Sequence, residues 1–534
     1  MTCPHHFVRP RKPAIGLACS FIAFALSCLA QPKAGDIIFQ TDFEGAGALR
    51  EWGAEQNPDV RLAAGLASAQ SLLVERRAGA SNIASVRVPL PVEKMRGSRL
   101  TCRAMVKADG VTEPPQVWNG IKFMLHVSAP GGDLWPQQNN VSGTFDWRRV
   151  QFKAAIPVDA TAAELILGLE AVSGRAQFDD IGITVARGPR ARLATPPAGP
   201  IFTGHDEPRL RGAMIAPGIT PESLRLLGRE WNANLIRWQL IRYGPSARIA
   251  EAADYEAWLE GALRKLDAAL PLCEQYGVRV VLDLHSPFGG TPTASGYVGT
   301  DTGLFTNRAA QEIFVADWQR MANRYRDRRV IWGYDLANEP VEGEVAEGCD
   351  DWMALATRAA RAVRASDTQH AIIVEPAPWG GPEALENLEP IPVPGVVYSV
   401  HMYVPHPFTH QGVHGGATGI AYPGMIAGRL WDEAALRRVL QPVRDWQREY
   451  GVQIYIGEFS AIRWAPDNSA YCYLRDCIDL FEEFGWDWSY HAFREWNGWS
   501  VEHGPDKEDA GPSQTPTDRE KLLREWYGRN VKTK

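Results

Sequence analysis

Residues 330–340 read V-I-W-G-Y-D-L-A-N-E-P, an apolar run from Val330 to Leu336 that breaks into Ala337-Asn338-Glu339-Pro340. A run of that length, bounded by turn residues, has the pattern of a strand covered on both faces. The flanking segments, Arg308–Tyr325 and Trp352–Ala365, carry apolar residues at helical spacing. A strand between two amphipathic helices is the unit of a parallel sheet. Working outward, the same alternation begins near Arg209, with strand-length runs at Leu210–Ala216, Asn234–Leu240, Val278–His285, Val330–Leu336, Ala371–Glu375, Val396–Met402, Gln453–Gly457 and Trp486–Phe493. Tyr255–Tyr276, Glu433–Tyr450 and Tyr471–Phe484 supply further amphipathic helices. Eight strands alternating with helices predict an α/β fold, a (β/α)8 TIM barrel over residues 209–534. A doubly wound open sheet competes. It normally carries a Gly-rich phosphate turn after its first strand, and Arg211-Gly212-Ala213-Met214 is not one.

Residues 33–187 have a different texture. Short alternating runs at Asp36–Phe43, Ser81–Val88, Arg99–Val106, Ile121–Val127, Arg148–Ala154, Glu164–Leu169 and Gln177–Val185 are separated by turn residues, with almost no helical periodicity. That predicts an all-β, antiparallel sandwich. Residues 188–208 form a linker, and Gly188 to Pro200 is too rich in Pro and Ala for a regular element. Residues 1–30 have the layout of a signal peptide: Arg9, Arg11 and Lys12 precede an apolar run, Ala14 to Leu29, too short to span a bilayer comfortably. Cleavage after Ala30 predicts a secreted or periplasmic protein. A lipoprotein anchored through Cys28 is the alternative, although Ala25-Leu26-Ser27 is a poor approach to it. No later segment has the uninterrupted apolar length of a membrane span.

Composition narrows the function classes. With 45% hydrophobic and 22% charged residues the chain is an ordinary globular protein. Its net charge of −7 gives no electrostatic reason to hold a polyphosphate, so nucleic acid is not an expected partner. The 19 Trp suit either a large core or stacking on sugar rings. Eight Cys are present, three of them (Cys3, Cys19, Cys28) in the leader. The other five are neither a disulfide framework nor a zinc set, though Cys472 and Cys477 could pair across a bend.

A barrel presents its chemistry at the carboxyl ends of its strands. The fourth run ends in Asn338-Glu339-Pro340 and the seventh in Gly457-Glu458-Phe459. Two carboxylates facing each other across one mouth are what glycoside cleavage needs, one to protonate the leaving oxygen and one to attack or to activate water. A separation of about 5 Å makes such an enzyme retaining.

These motifs resemble glycoside hydrolase family 5, the cellulase and mannanase family of the retaining clan A barrels. The resemblance extends to Arg211-Gly212-Ala213 at the first strand, Ile236-Arg237-Trp238 at the second, Leu282-Asp283-Leu284-His285-Ser286 with Gly289-Gly290 at the third, and Ser399-Val400-His401-Met402-Tyr403 at the sixth. It covers residues 209 to about 528. It implies that Glu339 is the general acid/base and Glu458 the nucleophile, with no cofactor and no metal. Arg237 and Tyr403 are the matching donors to keep Glu458 ionised, Asn338 would bond the sugar 2-hydroxyl, and His285 and His401 would line the same subsite as neutral donors. The family's eighth strand usually delivers a Trp as subsite floor. Here His491 stands at that place, and Trp496 is the favoured platform.

The segment with His401, His406, His410 and His414 tempts a metal reading, but Pro405 and Pro407 break any helix that would align the rings. The Gly-rich loop from Pro405 to Leu430 reads better as a wall of the cleft. Thr41-Asp42-Phe43-Glu44-Gly45 and Phe178-Asp179-Asp180-Ile181 resemble carbohydrate-binding modules with a galactose-binding-like jelly roll. Trp118 and Trp135 are possible stacking residues there, or mere packing, and Asp42, Glu44 or Asp180 possible calcium ligands. The expected function is hydrolysis of β-linked glucan, mannan or a related β-glycoside by a monomer acting on an oligo- or polysaccharide. The alternatives are a non-catalytic carbohydrate-binding protein on a degenerate barrel, or a transglycosylase using the same carboxylates.

Overall fold

The computed structural model describes residues 31–80, 83–116, 118–130, 132–138, 141–189, 197–343 and 345–532. The expected signal peptide and Cys28 lie outside them. The chain divides into two compact units, one running to Pro189 and the other from Arg190.

The first unit is built from two antiparallel sheets. One follows the order Val60–Ala63, Ser71–Arg76, Gly174–Arg187, Arg99–Val111 and Gly143–Ala155, with Ile37–Thr41 also paired to Gly174–Arg187; the other runs Ala84–Pro89, Ala162–Glu170, Gly120–Ser128. Alternate side chains, such as Ile121, Phe123, Leu125 and Val127 against Leu165, Leu167 and Leu169, pack into one apolar core. Two of these strands, Val60–Ala63 and Ser71–Arg76, escape the sequence reading. Ser71-Leu72-Leu73-Val74 is buried at all four positions, so the period-2 signal is lost.

The second unit is a closed parallel barrel of Arg211–Ile215, Leu235–Gln239, Arg279–Asp283, Ile331–Asp335, Ala371–Val374, Val396–Met402, Ile454–Phe459 and Asp487–Phe493. All eight expected runs are therefore strands. The helices Ala252–Tyr276, Arg308–Tyr325, Trp352–Ser366, Glu433–Tyr450 and Ser469–Phe484 fall where periodicity placed them. Side-chain caps start several of them: Asp351 accepts from the Ala354 N–H and Asp432 from the Ala435 N–H. Gly212 is required where the first two strands meet, since a Cβ there would lie 1.8 Å from the Leu235 carbonyl oxygen. The start of the first strand is clamped by the last helix, Asp518–Tyr527, and the residues after it. Tyr527 donates to the Gly212 carbonyl, Asn530 donates to the Arg211 carbonyl, and Arg211 donates to Asn530 Oδ1.

Among the described residues no helix is long and apolar enough to cross a membrane. The five cysteines outside the leader are all free, so Cys472 and Cys477 do not pair.

Candidate active site

Arg237 projects from the second strand into the barrel mouth and is fully buried. Its Nε donates to Asp335 (2.9 Å), its Nη1 to Glu458 (2.6 Å), and its Nη2 to Glu375 (2.9 Å) and Asn338 (3.1 Å). Asp283 lies 3.3 Å from Nη2. One cation thus serves four carboxylates from four different strands. Burial and the neighbouring acids push Asp335 far above the usual carboxylate range, against the pull of Arg237.

Glu458 sits at the end of the seventh strand. Besides Arg237 it accepts from the Tyr403 hydroxyl (2.8 Å), and His491 and His401 stand 3.4 and 3.8 Å away. Burial alone would raise its pKa, but the charges of His401, His491 and Arg237 overcome it and hold the carboxyl well below its ordinary value. Glu339 behaves oppositely. Burial raises its pKa, the charges of Glu458 and Glu375 add to the effect, and the His401 bond (2.8 Å) only partly opposes it. Its backbone is in the left-handed region (φ 44°), and its N–H donates to Glu375 (2.8 Å). A non-glycine residue held there marks a position the surroundings over-determine.

His401 links the two carboxylates. Its Nδ1 meets Glu339 and its Nε2 lies 3.2 Å from Glu375. Burial disfavours the charged ring, yet Glu375 and Glu458 outweigh it, so His401 titrates well above an ordinary histidine. A neutral donor was expected at this place; the three acids around it, Glu339, Glu375 and Glu458, favour the charged ring instead. Gly457 makes the arrangement possible: a Cβ there would come within 2.9 Å of His401 Nε2. One oxygen each of Glu339 and Glu458 and a nitrogen of His401 lie within 4.8 Å of one another. Both oxygens face His401 Nδ1, at 2.8 Å for Glu339 and 3.8 Å for Glu458.

A cavity of about 1080 Å³ opens above this cluster. Every sequence-expected site residue except Arg237, which lies beneath it, lines the cavity: His285, Asn338, Glu339, His401, Tyr403, Glu458 and Trp496. His285 is fixed by Asp283 (2.8 Å). Asn338 spends its Oδ1 on Arg237, which leaves its amide N–H groups for a ligand. Trp496 is an outer wall, 40% exposed and edge-on to Trp464 and Trp499. The residue on the eighth strand beside Glu458 is His491.

The Pro405–Leu430 loop contributes His406, His410, Val413 and His414 to the cavity. Contrary to the expected helix breaking, His406–Thr409 is one helical turn, because a proline is tolerated in a helix's first turn. The His406 and His410 rings stack at 3.9 Å, and burial beside other histidines pushes His410 down to about 3. Residues the sequence reading passed over are Asp283, Asp335, Glu375, Glu495, Tyr243, Tyr297 and Trp379. For the first three a signal was present, an acid at the end of an otherwise apolar strand run.

In the first unit, Trp118 and Trp135 are both exposed, and Trp135 lies flat on His126 (4.0 Å). Asp42 and Glu44 accept backbone N–H groups of Glu44 and Gln70. Burial beside Asp179 and Asp42 raises the Asp180 carboxyl.

A closed parallel barrel with two opposed carboxylates at its carboxyl mouth, one oxygen of each within 4.8 Å of the other, is the arrangement of a retaining glycoside hydrolase. The family model for cellulase, glycosyl hydrolase family 5, matches residues 212–494, more than half of the chain. The chain belongs to that family and is a glycosidase that acts on O-glycosyl bonds of β-glycosides with retention. It is similar to endoglucanase C of Acetivibrio thermocellus (28% identical, over 43% of this chain and 73% of that one) and to cellodextrinase A of Ruminococcus flavefaciens (24%, 45% and 69%). Among solved structures it resembles endoglucanase Cel5A of Thermotoga maritima, at 23% identity and TM-score 0.46, over 59% of this chain and 96% of that one.

Proposed function

We propose that Glu458 is the nucleophile and Glu339 the general acid/base of a double displacement on β-linked glucan, mannan or a related β-glycoside. The observation that carries this is the opposed surroundings of the pair: Arg237, Tyr403 and two histidines converge on Glu458 and favour its ionised form, while burial and acidic neighbours push Glu339 the other way. Glu458 attacks the anomeric carbon as Glu339 gives its proton to the leaving oxygen. Glu339, now a carboxylate, then takes a proton from the water that releases the sugar. Asn338 bonds the 2-hydroxyl, and Trp379, Trp496 and Tyr243 wall the cavity for neighbouring sugar units. A non-catalytic binding role is disfavoured because both carboxylates keep their full set of partners.

The reaction requires no metal. The names of the relatives, endoglucanase and cellodextrinase, favour a β-glucan. We also propose export, on the basic and apolar pattern of residues 1–30, and a monomer without a nucleic-acid partner. Residues 33–187 would form a carbohydrate-binding sandwich, 188–208 a linker and 209–534 the catalytic barrel.

The decisive test is kinetic. Glu458→Ala should abolish turnover, and Glu339→Ala should spare only aryl β-glycosides with good leaving groups. Wild-type rates in Glu458→Ala overturn the reading. A defined oligosaccharide panel with product sizing identifies the sugar and linkage.

A further inference from the structure

His491 and Glu495 form a pair that the reaction as described does not use. His491 lies on the eighth strand, with Nδ1 on the Tyr403 hydroxyl and 3.4 Å from Glu458 Oε2, and with Nε2 3.4 Å from Glu495 Oε2. Glu495 is fixed in turn by Gln239 Nε2 (3.0 Å) and the Tyr243 hydroxyl (3.2 Å). A continuous chain therefore runs Tyr243, Glu495, His491, Tyr403, Glu458.

Proton counting along the chain is restrictive. A phenol has one proton, and an ionised carboxylate can only accept. The Tyr403 proton goes to Glu458, so the Tyr403 oxygen must accept from His491 Nδ1–H. Glu495 accepts from Gln239 and Tyr243 and, held as a carboxylate, has no proton to give, so the nitrogen facing it carries one. Both ring nitrogens are then donors, and the ring is an imidazolium.

We propose that the His491–Glu495 pair is a positioning device for Glu458: Glu495 keeps His491 doubly protonated, and that cation, through Tyr403 and directly, fixes the Glu458 carboxylate in its ionised, attacking orientation. This rests on the reading of Glu458 as nucleophile. The groups that face His491 are Glu458 from the seventh strand, Tyr403 and His410 from the sixth-strand loop, Glu339 from the fourth strand, and Glu495 and the Trp499 ring from the segment after the eighth. Burial opposes the charge, and Glu458 and Glu495 restore it, so the ring titrates above an ordinary histidine. The same pairing, against the effect of burial, keeps Glu495 ionised.

The test uses the full-length protein. In ¹⁵N-histidine NMR, assigned with His491→Gln, His491 should be doubly protonated at neutral pH, and Glu495→Gln should lower its titration by about one unit, with Glu495→Asp recovering part of the shift. In the pH profile of kcat/KM on an aryl β-glycoside, His491→Asn places an amide N–H where Nδ1 stands, so it keeps a donor for Tyr403 but loses the charge. The acid limb should therefore rise by about one pH unit. A neutral His491 in wild type, or a uniform fall in His491→Asn activity with unmoved limbs, overturns the proposal. If His491→Asn fails to fold, the titration in wild type and Glu495→Gln, assigned with His491→Gln, still decides it. A wild type that cleaves no β-glycoside is a separate failure, that of the functional reading.

Discussion

Arg237 meets Asp283, Asp335, Glu375 and Glu458 with a single charge, and His401 supplies a second on the far side of Glu375 and Glu458. Arg237, His401 and His491 face four buried acids plus Glu339, and among the four it is Asp335 that burial and its acidic neighbours push far above the usual carboxylate range. Arg237→Met would leave these acids facing one another. The expected loss is about 3–5 kcal/mol, read by urea denaturation, together with loss of turnover. The polarity of the pair also fixes the pH profile. Turnover needs Glu458 ionised and Glu339 protonated, so it is lost as pH falls through the depressed Glu458 pKa and as pH rises through the elevated Glu339 pKa. In Glu339→Gln, assayed on a substrate with a good leaving group, the alkaline limb should vanish and the acid limb remain. Glu339, Glu458 and Tyr403 stand at or just past strand ends beside recognisable neighbours, and Arg237, in the middle of its strand, stands out as a lone charge in an apolar run, so all four were legible in the sequence as candidates. The charge on His401 was not, since it depends on Glu375, which is distant in the chain and reads locally as strand.

The barrel elements follow from local rules, because each strand is an apolar run and each major helix an amphipathic one. Their boundaries are set by caps. Asp432 accepts from the Ala435 N–H at 2.8 Å at the start of Glu433–Tyr450, and Asp432→Ala should cost about 1 kcal/mol in chemical denaturation with kcat unaltered. Elements without such signatures were missed. The segment between the first two barrel strands is a short helix, Pro221–Arg225, running into the π-helical turn Leu226–Glu230, too brief for a periodic pattern. Between the fifth and sixth strands the helix is reduced to the 3₁₀ turn Pro382–Asn387. The Pro405–Leu430 loop holds both a helical turn and the hairpin strand Gly424–Ile426, paired with Arg429–Trp431. Composition there predicted only irregularity, since Pro and Gly mark where regular structure is costly and not where a tight turn is required.

At the scale of the molecule, all the residues that line the cavity fall between Met214 and Trp499, inside the second unit. A chain beginning at Ile201 should therefore keep the wild-type kcat on a small aryl β-glycoside. Any loss on polymeric substrate would then measure what the first unit contributes. The division into a sandwich and a barrel was visible in the sequence as a change of period from 2 to 3.6, whereas the clamp on the first barrel strand was not, because its two halves lie 319 residues apart. That clamp has a consequence for biosynthesis. Arg211 and Gly212 leave the ribosome long before Tyr527 and Asn530 exist, so the first strand must wait, unlatched, while the rest of the barrel is made. The ring closes only after nearly the whole polypeptide has been synthesised. The barrel is thus the last part of this chain to reach its final form, however early the first unit condenses.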